Sequence, residues 1–131
     1  MEGKAVILIV DDTRIVRLAL SSLLRQAGYQ AESAADAEEA LVKLAYGEYA
    51  VVLLDLVMPG MNGIELTRII RQKYPRTEVV LMSGHLDCNQ ISLRTVFADA
   101  GRMPEILPKP FEPEKLIAAV SHALLRREAI D

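Results

Sequence analysis

Short apolar runs of strand length recur along the chain, and they are continuous where a half-exposed strand would alternate. They lie at Ala5 to Val10, Ala50 to Leu54, Val79 to Met82 and Glu105 to Leu107, with a more polar segment at Gln30 to Ser33. A strand that is apolar on both faces must be covered on both, which is the condition of a parallel sheet between helical layers. Between these runs apolar residues recur at helical spacing. The first such segment spans about Thr13 to Ala27, with Ile15, Leu18, Ala19 and Leu23 as its expected inward face and Gly28 as its stop. Asp36 and Glu39 form an Asp-x-x-Glu box that caps a second helix through Leu44. Ile64, Leu66, Ile69 and Ile70 mark a third, which must end by Tyr74 because Pro75 follows. A fourth is expected over about residues 89–99. Pro113 suits the first turn of the last helix, where Leu116, Ile117, Val120 and Leu124 face inward. Strands alternating with helices in this way predict an α/β fold: one parallel sheet, with right-handed crossovers placing helices on both faces.

The chain's 131 residues suit one domain, residues 1–131, and no repeat or linker divides them. With 51% apolar and 25% charged residues the composition is that of a folded globular protein. A net charge of −3 supplies no basic field, so direct nucleic-acid binding is not expected. A single cysteine, Cys88, forms no internal disulfide, and Met1-Glu2-Gly3-Lys4 opens no signal-peptide pattern. No apolar stretch approaches the roughly 20 residues of a membrane helix, so membrane insertion is not expected and the cytoplasm is the expected compartment.

Chemistry concentrates where the runs end. Asp55 ends the third, Asp11 and Asp12 follow the first, Ser83 follows the fourth and Lys109 follows the last. In open parallel sheets the ligand site lies beyond the carboxyl ends of the strands, so these residues converge there. Two unit charges about 4 Å apart repel by roughly 4 kcal/mol at an effective dielectric of 20, and three carboxylates therefore need a cation. Oxygen ligands without a His or Cys cluster point to a hard ion, Mg²⁺ above all. A carboxylate, a divalent cation, the Lys109 ammonium and the Ser83 hydroxyl suffice to attract and bond a phosphoryl group, with Asp55 as the attacking nucleophile.

This constellation resembles the receiver domains of two-component response regulators. The matching residues are Asp11-Asp12, Asp55 with Met58-Pro59-Gly60-Met61-Asn62-Gly63 after it, Ser83-Gly84 and Lys109-Pro110-Phe111, and the resemblance spans nearly the whole chain. It implies a flavodoxin-like (βα)5 doubly wound sandwich with strand order 2-1-3-4-5. It implies that Asp55 accepts a phosphoryl group from a phosphohistidine on a histidine kinase or histidine phosphotransfer protein. Asp12, Asp55 and the backbone carbonyl of Val57 would hold Mg²⁺, with Mn²⁺ able to substitute and Asp11 contributing directly or through water. Ser83 and Lys109 would contact the phosphoryl oxygens, the Lys109-Pro110 bond would be cis, and the residues at Val57 and His85 would influence how readily water attacks. A downstream effector would read the face formed by the fourth helix, fifth strand and last helix, and a second copy of the chain is a further partner of the same kind. Met-Ser-Gly-His and Leu-Pro-Lys-Pro-Phe lean toward receivers fused to hybrid histidine kinases. Two departures stand out: Ile106 replaces the usual aromatic switch residue three positions before the lysine, and Gly101-Arg102-Met103-Pro104 carries extra length.

Other readings compete. Asp55 with Lys109 could form a structural ion pair, and Asp11-Asp12-Thr13 could simply cap the first helix. A Mg²⁺-dependent phosphatase or phosphotransferase would share the nucleophile, but the acid/base Asp expected two residues later is Val57 here, so the chain is expected to catalyse its own phosphorylation and slow dephosphorylation without rapid turnover. A flavodoxin-like redox module would bind phosphate after the first strand, where this chain is acidic, and it has no tryptophan to stack on a flavin. A phosphorylation-independent interaction module keeps the same residues. Arg14 and Arg17 on the first helix could meet an acidic partner, His122 reads as a surface residue, and Met58, Met61, Met82 and Met103 read as core or loop filler.

Overall fold

The computed structural model describes residues 5–58, 60–84 and 104–130. The expected helix near 89–99, His85, Cys88 and residues 101–103 lie outside them. In chain order the elements are β1 (Val6–Val10), α1 (Arg14–Gln26), β2 (Gln30–Ala34), α2 (Ala37–Tyr46), β3 (Val51–Asp55), α3 (Gly63–Lys73), β4 (Glu78–Gly84), β5 (Glu105–Lys109) and α4 (Pro113–Ile130). All pairings are parallel, and the order β2-β1-β3-β4-β5 is the one the resemblance implied. It is a flavodoxin-like doubly wound α/β fold.

The apolar runs are continuous because each strand feeds two cores. Ile7, Ile9, Val51, Leu53, Val80, Met82 and Leu107 pack with Leu20 and Leu24 of α1 and with Leu116, Ala119, Val120 and Ala123 of α4. Leu8, Val10, Val52, Leu54, Val79 and Leu81 pack on the opposite face with Ala37, Ala40 and Leu44 of α2 and with Leu66 and Ile70 of α3. Alternation persists, with both faces apolar. Met58 and Met82 are buried and Met61 packs against the α2/α3 core, as filler.

Helix α1 departs from the expected face. Ile15 and Leu18 are 73% and 57% exposed, and Leu20 and Leu24 point inward with Val16 and Leu23 beside them. The helix is apolar around more than one stripe, and contact with Ile7, Ile9 and Ala31 decides which stripe is buried. Thr13 is its N-cap residue but makes no side-chain cap bond, and capping instead runs through Asp11, whose Oδ1 accepts the Thr13 N–H at 2.8 Å. Gly28 adopts φ +101 beyond the helix end, as its stop role requires. At α2, Asp36 accepts from Glu39 N–H at 2.8 Å while Glu39 reaches back one residue further, to Ala35 N–H. The Asn62 side-chain Oδ1 at α3 accepts from Glu65 N–H at 2.9 Å, and the Glu65 carboxylate accepts from Asn62 N–H. Replacing Asn62 with Ala removes this reciprocal cap and is expected to cost about 1 kcal/mol. Thermal unfolding should then show a fall in Tm of roughly 3–5 °C.

At the opposite end of the sheet from Asp55, Glu78 starts β4 almost completely buried. Arg126 of α4 reaches both Glu78 (Nε to Oε1, 3.6 Å) and Glu105 at the start of β5 (Nη1 to Oε1, 2.8 Å). His122, exposed as expected, lies 3.9 Å from the same Glu105. Among the described residues, no helix is long and apolar enough to cross a membrane.

Candidate functional site

Strand register explains why the site forms where it does. Ile7 and Ile9 face the α1/α4 core, and the same phase carries on to Asp11; Val51 and Leu53 lead likewise to Asp55, and Leu107 to Lys109. One face of the sheet is therefore apolar until its carboxyl edge, where it becomes charged. Met82 pairs with Asp55, and Gly84 with Lys109, so β4 separates the acidic strands from the basic one by a single strand width.

The carboxylates of Asp11, Asp12 and Asp55 each offer an oxygen within 4.8 Å of the others. Their environments differ. Asp12 is exposed, Asp55 is intermediate, and Asp11 is 1% exposed. Asp11 spends its N–H on Ala34 O at 3.2 Å, its carbonyl on Arg17 Nη1 at 2.7 Å and its Oδ1 on Thr13 N–H at 2.8 Å. Among the described residues no donor reaches its buried Oδ2. A buried carboxylate oxygen without a donor is costly, and one facing two further carboxylates has the chemistry of a cation ligand. These residues fit Mg²⁺.

Asp55 Oδ2 lies 3.3 Å from Lys109 Nζ, and its Oδ1 accepts from Val57 N–H at 3.3 Å. Burial pushes the Asp55 carboxyl above its ordinary value. Lys109 and the Val57 N–H oppose that rise, and the charge of Asp11 adds to it. Lys109 alone therefore does not compensate the site, which is the electrostatic argument against an inert ion pair. Val57 is 55% exposed, and the Lys109-Pro110 peptide is cis, as expected.

Ser83 is placed less simply. It stands one residue past Met82, but its alternation continues Val79 and Leu81 toward the α2/α3 core, where it is fully buried and its hydroxyl donates to Gly84 O at 3.2 Å. Ile106 is half-buried against that same core. His85 lies outside the described residues.

Two residues that shape the site were not singled out for this role from sequence. Arg17 holds the Asp11 carbonyl, a contact no periodicity announces. Gly63 opens α3 so close to β3 that its N–H donates to Leu56 O at 2.8 Å, and a Cβ there would lie 2.8 Å from Asp55 O, Leu54 Cδ1 and Leu56 Cα. Gly60, with φ +80, is the glycine that permits the turn; Gly63 permits the approach.

Comparison with known proteins agrees with this geometry. The family model for the response regulator receiver domain matches residues 7–121. The chain is 38% identical over 125 residues to the response regulator MprA of Mycobacterium sp. (strain KMS), covering 95% of this chain and 52% of that protein. It is 34% identical over 121 residues to the transcriptional regulatory protein ResD of Bacillus subtilis (92% and 48%). The chain thus spans about half the length of these curated relatives. Among solved structures, the chemotaxis protein CheY4 of Vibrio cholerae superposes with a TM-score of 0.82 at 31% identity, covering 93% of this chain and 100% of that one. A CheY-like receiver domain protein of Methanospirillum hungatei gives 0.87 at 26% (98% and 100%).

Proposed function

The chain belongs to the response regulator receiver domain family, and from that premise we propose that residues 1–131 form one receiver domain whose phosphoacceptor is Asp55. The observation that carries this is the Asp11-Asp12-Asp55 cluster, with its buried, donorless Asp11 Oδ2, set 3.3 Å from Lys109 on the Asp55 side. An Asp55 carboxylate oxygen attacks the phosphorus of a phosphohistidine on a histidine kinase or histidine phosphotransfer protein. The P–N bond breaks as the P–O bond forms, and the imidazole leaves with the electron pair. Asp11, Asp12, Asp55 and the Val57 carbonyl would hold Mg²⁺, which supplies charge neutralisation for the incoming phosphoryl oxygens. Lys109 leaves its contact with the carboxylate for a phosphoryl oxygen, and Ser83 reaches the same group by giving up Gly84 O.

The domain is a switch with a slow hydrolytic reset. Val57 occupies the position where an aspartyl-phosphate hydrolase would hold a general acid, and together with His85 it sets water access. Ile106 has no ring to turn, so the output runs through the Ser83 and Lys109 movements into β5 and α4, toward an effector or a second copy of the chain. The exposed Ile15 and Leu18, on the turns of α1 just beyond the acidic pair, offer the apolar contact for the phosphodonor. By name MprA is a response regulator and ResD a transcriptional regulatory protein, which leaves the leaning toward the hybrid-kinase type unsupported. The cytoplasm is the proposed compartment.

A small acyl phosphate donor tests the reading. Intact-mass analysis is expected to show one phosphoryl adduct in Mg²⁺ and none after chelation. No adduct from a folded, Mg²⁺-loaded protein would favour the phosphorylation-independent module instead.

A further inference from the structure

We propose that Arg17 is a positioning residue for the cation site, acting through the backbone of Asp11. This rests on reading the acidic cluster as that site. The guanidinium donates to the Asp11 carbonyl at 2.7 Å, while the Arg17 backbone N–H donates to Thr13 O at 3.1 Å. One residue of α1 therefore closes the β1–α1 loop twice, once by backbone and once by side chain. The carbonyl it holds belongs to the peptide joining Asp11 to Asp12, so its orientation sets the direction in which both carboxylates leave the backbone. With Ala34 O taking the Asp11 N–H and Thr13 N–H taking Oδ1, Arg17 is the third fixed point that leaves Oδ2 as the one open oxygen of Asp11. Charge-assisted hydrogen bonds to a ligand's own backbone are the kind of outer contact that tunes metal affinity.

A guanidinium near three carboxylates has a second effect of opposite sign. Its charge competes with a cation, so if charge were its whole role, removing it would tighten Mg²⁺ binding. Positioning predicts weakening. Arg17→Met keeps the stem and loses charge and donor; Arg17→Lys keeps both with a single ammonium. Arg14→Met removes an equal charge from the exposed side of the same turn and provides the electrostatic baseline. Calorimetric titration with Mg²⁺ alone is expected to give a Kd raised about tenfold in Arg17→Met, partly restored in Arg17→Lys, and unchanged or lowered in Arg14→Met. In the metal-free protein, amide exchange at Thr13, the donor to Asp11 Oδ1, is expected to accelerate in Arg17→Met and not in Arg14→Met.

Equal or tighter Mg²⁺ binding in Arg17→Met with an unchanged Thr13 amide would overturn the proposal, as would a fall in Tm alone. A wild-type protein that takes up no Mg²⁺ would instead overturn the cation reading, and the Thr13 amide would still report whether Arg17 fixes the loop.

Discussion

Asp55→Asn is expected to abolish phosphoryl transfer completely and, in the metal-free protein, to make the fold more stable. The amide keeps the shape and the acceptor oxygen for the Val57 N–H but has no nucleophilic carboxylate. Intact-mass analysis with the small-molecule donor should therefore show no adduct, with or without Mg²⁺. The stability gain follows from electrostatics. Asp55 lies within 4.8 Å of two other carboxylates, and burial raises its carboxyl above the ordinary value despite Lys109. A carboxyl whose folded value exceeds its unfolded one contributes stability below the unfolded value and loses it as pH rises through the folded value. The ionised wild type is thus the penalised form at neutral pH. Asp55→Asn should unfold at a higher denaturant midpoint than wild type at pH 7 without Mg²⁺. The difference should vanish at pH below the ordinary carboxylate value. A variant no more stable than wild type at pH 7 would mean that the crowding is already neutralised.

Gly63→Ala is expected to destabilise the protein by about 3 kcal/mol, with Tm lower by roughly 10 °C. Two of the three atoms a Cβ would meet at 2.8 Å are backbone, Asp55 O and Leu56 Cα, and neither can swing aside as a side-chain end would. Relief requires α3 to move away from β3, stretching the Gly63 N–H to Leu56 O bond and dragging the segment that carries the Asp55 and Val57 backbone. Mg²⁺ affinity should fall together with stability. Denaturant unfolding and a Mg²⁺ titration of the surviving folded protein separate the two effects. An alanine tolerated within 0.5 kcal/mol would show that the helix has room the geometry denies it.

Strands were the most legible part of the chain, because an apolar run on both faces has few places to go. All five predicted runs pair in the sheet: β1 starts one residue later than expected, β3 is shifted by one, and β2, β4 and β5 run past their expected ends. The convergence of Asp11, Asp12, Asp55 and Lys109 was legible for a related reason: parallel strands bring equivalent ends to one edge. Ser83 shows the limit of that argument, since reaching the edge does not decide which way a hydroxyl points. Helix α1 shows another. Ile15, Leu18 and Ala19 compete with Val16, Leu20 and Leu24 for the interior, and periodicity alone cannot choose between adjacent apolar stripes. The Asn62 and Glu65 cap is readable from its spacing, whereas the burial of Glu78 is not: Glu78 sits just before an apolar run, and Arg126, which answers it, belongs to the last helix. Arg17 and Gly63 act through backbone proximity, which leaves no pattern in the chain.

Strand β5 borders one neighbour among the described strands, β4, yet it is moored at both tips. Lys109 ties one tip to Asp55, and Glu105 ties the other to Arg126. A strand held this way behaves like a beam on two ionic bearings. If Lys109 transfers its charge to a phosphoryl group as proposed, β5 stays paired with β4 along its length and tied to Arg126 at its start, and the last helix supplies that second bearing. A charge gained at one rim of the sheet would then have a path of one strand to the last helix at the other.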